Sequence, residues 1–169
     1  SLNNHELKNE IVRELSITNT EKVIIHHSHP YRYTTVDAVI FSVYIYPNYD
    51  MNDSPFIIAE VGQAHEGSLG NAMSYIDAVA DAGVNAVKFQ THFAKEESSK
   101  YDDFRVRVFP QDNSRYSYWE RMEFSPSEWK QLKDKASDRG LVFLSSPFSI
   151  LAVKILNKLK IPAWKIASG

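Results

Sequence analysis

Four apolar runs in this chain turn polar toward their ends, and the polar residues are of types that bind anions. "FIIAEVG" (56–62) turns polar at Glu60. "NAVKFQ" (85–90) carries Lys88 and Gln90, "LVFLSSPFS" (141–149) carries Ser145 and Ser146, and "AWKIASG" (163–169) carries Lys165 and Ser168. Lysine is rarely fully buried without a partner, so a lysine inside an apolar run asks for an anion. Two lysines, the hydroxyls of Ser146 and Ser168, and an amide can surround a phosphate or a carboxylate. One carboxylate among them, Glu60, can orient a hydroxyl or move a proton. Each residue also has a plain structural use. Glu60 and Lys88 could close on each other as a buried ion pair, which is not strongly stabilising. A strand-end serine could cap the next helix, although Pro147 makes Ser149 a better cap than Ser146. Repetition favours the binding reading, because all four runs switch polarity at the same end.

That repetition matters only if the runs are parallel strands. The segments between them predict this. "SLGNAMSYIDAVADAG" places Leu69, Ala72, Met73, Ile76, Val79 and Ala80 at helical spacing, with Ser68 as N-cap and Gly83 just past the end. Ser125 caps a second helix, with Pro126 at its first position and Glu128 closing a capping box; the helix stops at Gly140. "ILAVKILNKLK" is a third helix, with Ala152, Ile155, Leu156 and Leu159 on one face. The order β-α-β-α-β-α-β implies a parallel sheet with helical crossovers. An open doubly wound sheet and a (β/α)8 barrel both fit, and both put their sites at the C-terminal strand ends. "GQAHEG" is not a dinucleotide-binding fingerprint. The connection from Thr91 to Phe124 is long and rich in charge and aromatics, as functional loops often are.

Residues 1–53 have a different character and read as a small α+β extension. Leu7, Ile11 and Leu15 suit a short amphipathic helix, strands are expected at 22–27 and 37–46, and 47–55 reads as a linker. "HHSH" (His26, His27, His29) invites a metal reading. His26 and His27 would point to opposite faces of a strand, and His27 and His29 lack a second ligand cluster, so no metal site is expected there. The 169 residues are 43% apolar and 24% charged with a net charge of −2, ordinary for a globular protein and against nucleic acid as the main partner. No cysteine is present, which removes disulfides and thiolate metal sites and suits a cytoplasmic setting. The charged N-terminus has no signal-peptide pattern, and no apolar run is long enough to span a membrane.

"IAEVGQAHEGSLGNA", "AVKFQTH", "LSSPFS" and "PAWKIASG" together resemble the sialic acid (N-acetylneuraminate) synthase family over roughly residues 55–169. The resemblance implies a (β/α)8 TIM-type barrel, of which residues 54–169 would supply about the first four β-α units. The signature's expected glutamate would follow Gly169. It also implies a transferase that condenses phosphoenolpyruvate with an N-acetylated hexosamine, N-acetylmannosamine or a bacterial relative, to give a nonulosonic acid and phosphate. In that chemistry the C3 carbon of phosphoenolpyruvate attacks the sugar aldehyde, positive charge develops at C2, water adds there, and the C–O bond to phosphate breaks. Lys88, Gln90, Ser146, Lys165 and Ser168 would bind phosphoenolpyruvate. Glu60 and Asn113 would bind the amino sugar, and Glu60 and Lys88 would be catalytic. Ser146 stands where the family often has threonine, and Ala64 departs from the usual asparagine of Asn-His-x-Gly. His65 and His92 are expected at the rim of the site. A divalent manganese or magnesium ion is implied, with ligands beyond Gly169, as is a homodimer in the complete protein. The 169 residues alone are expected to be inactive. Two alternatives stay open: a related barrel that joins phosphoenolpyruvate to another aldose, and a non-catalytic half-barrel that acts as a binding module.

Overall fold

The four polar-ended runs become four adjacent parallel strands in the computed structural model, which describes residues 23–25, 40–44, 56–104 and 110–167. In chain order the strands are β1 (Val23–Ile25), β2 (Ile40–Tyr44), β3 (Phe56–Gly62), β4 (Ala86–Thr91), β5 (Val142–Pro147) and β6 (Trp164–Ile166). The helices are α1 (Leu69–Asp81), α2 (Ala94–Glu97), α3 (Arg115–Met122), α4 (Pro126–Asp138) and α5 (Ile150–Lys158). The strand order across the sheet is β1-β6-β5-β4-β3-β2. β3 through β6 run parallel, as does β1 beside β6, whereas β2 is antiparallel to β3. Among the described residues this is an open α/β sheet. The two strands expected in the N-terminal extension thus lie in the same sheet, one at each end. They pair backbone groups on β3 and β6 that would otherwise face outward. The helix expected near Leu7, the linker at 47–55, His26, His27 and His29, and Ser168 all lie outside the described residues.

The helix ends follow the local chemistry of the sequence. Ser68 accepts from the Asn71 amide at the start of α1, and Gly83 takes a positive φ of 77° just past its end. Ser125 and Glu128 form the reciprocal capping box of α4 with Pro126 at its first position. Ser149 caps α5 by accepting from the Ala152 amide at 3.2 Å. The segment from Thr91 to Phe124 differs from its reading as one irregular loop, because it contains α2 and α3. Ser114 caps α3 in a box closed by Ser117.

Alternation along the strands sorts the residues into two layers. On the helix side, Ala59, Val61, Val87, Phe89, Phe143, Trp164 and Ile166 join Ala72, Ile76, Val79, Trp129, Leu132 and Leu156 in the main core. Phe89 is fully buried, with its ring 5.7 Å from Phe143 and 6.2 Å from Trp129. The opposite face holds a smaller apolar cluster of Ile58, Ala86, Leu144 and Ala163, with Phe56 and Val142 against it. These residues lie early in their strands or just ahead of one. The polar candidates continue the same face toward the C-terminal ends.

Candidate active site

Register brings the candidates together. Glu60 lies opposite Lys88 on neighbouring strands, and Gln90 lies opposite Ser146. Lys88 is 2% exposed and its ammonium contacts the Glu60 carboxylate. Burial, and after it the charge of Lys165, push the Lys88 ammonium down to about 7. The Glu60 contact acts the other way by favouring the charged form. Lys165, half-buried on β6, is also lowered by burial. Two cations held close in a partly dry site are poised for an anion whose charge would offset both effects. Ser146 is buried and its hydroxyl has no hydrogen-bond partner among the described residues; the same is true of Glu60 Oε1. A β-bulge between Glu60 and Gly62 puts Gly62 at φ 55°. A Cβ there would sit 3.5 Å from Glu60 Oε1 and 3.6 Å from Gln90 Nε2, which places these two polar atoms around the same glycine.

Ser145 faces the other way. Its hydroxyl is 2.7 Å from Thr91 Oγ1 in a buried pair on the helix side of the sheet, so of the two strand-end serines only Ser146 belongs to the candidate face. Asn113 is exposed in the turn before α3, and no hydrogen bond among the described residues ties it to the other candidates. His65, expected at the rim, is instead fully buried. Its ring lies 4.6 Å from Phe124, and its Nδ1 accepts from the Gly67 amide at 3.0 Å. Burial lowers it to about 4, followed by the charges of His92 and Arg121. A neutral histidine that shapes the turn after β3 explains "HEG" structurally.

Helix α3 forms a wall that sequence reasoning missed. Tyr118 donates to Gln63 Oε1 at 2.8 Å, and Arg121 donates to the Glu66 carbonyl at 3.0 Å. Arg121 also holds Asp112 through two hydrogen bonds of 3.0 and 2.6 Å. Gly67, at φ 78°, approaches α3 so closely that a Cβ would meet the Arg121 carbonyl oxygen at 1.9 Å. α3 thereby fixes the turn after β3, and its Trp119 stacks on His92 with ring centres 4.1 Å apart. The only early signal for this wall was the aromatic density of "RYSYWERM".

Among the described residues, no three His, Cys, Asp or Glu side chains converge into a group that could hold a metal. They therefore do not supply the ligand set of the divalent ion the resemblance implies. Within the described residues no helix is long and apolar enough to cross a membrane.

Comparison with known proteins identifies the family and its relatives. A family model described as the NeuB family matches residues 75–169. The N,N'-diacetyllegionaminic acid synthase of Campylobacter jejuni subsp. jejuni is 34% identical over 116 residues, covering 67% of this chain and 35% of that protein. The N-acetylneuraminate-9-phosphate synthase of Mus musculus is 31% identical over 121 residues, covering 68% and 32%. In fold, a crystal structure of an N-acetylneuraminic acid (sialic acid) synthetase from Leptospira borgpetersenii serovar Hardjo-bovis, in complex with citrate, matches with a TM-score of 0.53 and 26% identity. That match covers 76% of this chain and 42% of the other. The chain spans about a third of the length of the curated relatives it matches.

Proposed function

The chain belongs to the NeuB family, and from that membership we propose that it carries the phosphoenolpyruvate-binding part of a nonulosonic acid synthase. The observation that carries this reading is Lys88, buried in a central strand, paired with Glu60 on the next strand and close enough to Lys165 to feel its charge. Such a lysine is expensive as a structural element and useful as an anion ligand. Lys88 and Lys165 take the phosphate and carboxylate of phosphoenolpyruvate, with the Ser146 hydroxyl and the Gln90 amide as further donors; the resemblance adds Ser168. Glu60 turns from Lys88 toward a hydroxyl of the amino sugar, whose other contacts include Asn113.

In the complete site, C3 of phosphoenolpyruvate forms a bond to the sugar aldehyde carbon, whose oxygen takes up a proton. Water adds at C2, and the C2–O bond to phosphate breaks, leaving a 2-keto-3-deoxy acid and inorganic phosphate. The protein's share is positioning and fixed positive charge where the reactants carry negative charge. The acceptor is an N-acetylated hexosamine, N-acetylmannosamine or a di-N-acetylated relative. The first four β-α units of a barrel are residues 54–169, the 169 residues alone bind ligand without turning over, and the complete protein is a cytoplasmic homodimer that uses a divalent ion.

Calorimetric titration of phosphoenolpyruvate into the chain tests the reading. Saturable binding that Lys88→Ala abolishes is expected, and no binding to the unsubstituted chain would overturn it. In the complete protein, phosphate release with N-acetylmannosamine and none with erythrose 4-phosphate is expected; the reverse would point to a different aldose.

A further inference from the structure

His92 follows β4, is 3% exposed, and makes contacts the proposed chemistry does not use. Its ring lies between Trp119 and Phe148, with centres 4.1 and 4.0 Å away and planes tilted by 16° and 21°. Both ring edges meet polar atoms. Nδ1 is 2.6 Å from Glu97 Oε2, and Nε2 is 3.3 Å from Gln90 Oε1. Glu97 is itself fixed, since its other oxygen accepts from the Phe93 amide at 2.7 Å. The stack sets the ring plane, and Glu97 sets its rotation within that plane.

We infer that His92 is a positioning residue that sets which end of the Gln90 amide faces the cleft. A glutamine amide has an acceptor end and a donor end that are nearly alike in shape, so its orientation must come from its partners. Here Gln90 Oε1 faces His92, which leaves the NH2 group on the side of Gly62 and Glu60 Oε1. The far side supports the same orientation, because an NH2 turned toward a carboxylate oxygen is favourable and a carbonyl oxygen there would set two acceptors together. A ring that donates to Glu97 and also to Gln90 carries hydrogen on both nitrogens. Glu97, His92 and Gln90 then form a continuous line of hydrogen bonds, with Glu97 accepting at one end and the Gln90 NH2 group donating into the site at the other. The consequence for binding is specific: at this point the cleft offers an N–H donor and selects an oxygen acceptor, a hydroxyl or carboxylate oxygen of the ligand. The orientation follows from the contacts of His92 and Gln90; its effect on phosphoenolpyruvate rests on the proposed function.

Two measurements on the full chain decide it. The first is nitrogen NMR of the His92 ring without ligand. Hydrogen on both ring nitrogens is the expected result. A bare Nε2 would overturn the inference, because Gln90 would then have to donate to it and present its oxygen to the cleft. The second is calorimetric titration of phosphoenolpyruvate into His92→Phe, which keeps an aromatic ring in the stack and removes both ring donors. Weakening by about fivefold, the worth of one ordinary hydrogen bond, is expected in the natural background. In the Gln90→Ala background His92→Phe should add nothing, whereas an equal loss in both backgrounds would overturn action through Gln90. If the unsubstituted chain fails to bind phosphoenolpyruvate while both ring nitrogens carry hydrogen, the functional reading falls and the orientation stands.

Discussion

The two faces of β4 and β5 are built from neighbouring residues under opposite rules. On the helix side, Thr91 and Ser145 satisfy each other at 2.7 Å, and Val87, Phe89 and Phe143 fill the core. One residue away, on the other face, Ser146 has no partner among the described residues, Lys88 is held by a carboxylate in a partly dry site, and Gln90 is bonded to a histidine outside the strand. Buried polar groups in proteins are normally satisfied, and exceptions call for an explanation. A satisfied Thr91–Ser145 pair beside an unpartnered Ser146 hydroxyl and a buried lysine favours a binding role for the second face.

Substitution should separate the faces, starting with the largest effect. Phe89→Ala on the helix side should cost about 3–5 kcal/mol in urea unfolding, since it empties a fully buried aromatic site. The joint replacement Glu60→Gln with Lys88→Met on the other face should leave stability unchanged or raise it by up to about 4 kcal/mol, because a buried ion pair is costly to desolvate. It should also abolish phosphoenolpyruvate binding. A large loss of stability in the double variant would make the pair structural and erase the contrast. Gly67→Ala tests the wall behind the site. Its positive φ costs about 1–3 kcal/mol for a residue with a Cβ, and the clash with the Arg121 carbonyl adds displacement of α3. Unchanged unfolding for Gly67→Ala would contradict the close approach. A smaller pair sharpens the comparison further. Thr91→Val should cost about 1–3 kcal/mol by stranding the Ser145 hydroxyl. Ser146→Ala should cost less than about 0.5 kcal/mol, since no hydrogen bond among the described residues is lost.

The sequence showed this contrast in part, for a physical reason. Alternation in a strand is local, so "AVKFQT" alone separates Val87 and Phe89 from Lys88 and Gln90. Caps are local too, which is why Ser68, Ser125 and Ser149 were legible, and why Ser146 could be set aside as a cap. Glu60, Lys88, Gln90 and Ser146 share one face because parallel strands in register place equivalent positions side by side. What remained hidden depends on distant partners. α3 lacks a clear apolar stripe, and its box closes with Ser117 in place of the usual Glu or Gln. His65 is buried against Phe124, far along the chain, so a motif histidine that suggested a rim is a core residue. His92 is adjacent to the signature, but its tie to Gln90 depends on Glu97, Trp119 and Phe148 meeting around it.

The mildest test concerns charge rather than packing. Lys88 is lowered to about 7 by burial and by Lys165, with Glu60 opposing. Only the ammonium form attracts an anion. Below pH 7 the proton is already in place, whereas above it binding must first take up a proton, so affinity falls as pH rises. Sulfate is a suitable probe because its own charge is constant over the range. Its dissociation constant should increase by about 25-fold between pH 6.5 and 8.5. Thr91→Val on the opposite face should leave that slope intact, whereas Lys88→Met should flatten it together with the affinity. A flat profile in the unsubstituted chain would mean that the Glu60 contact outweighs burial and keeps Lys88 charged throughout, so the candidate face would hold a fixed cation in place of one that loses its proton as pH rises.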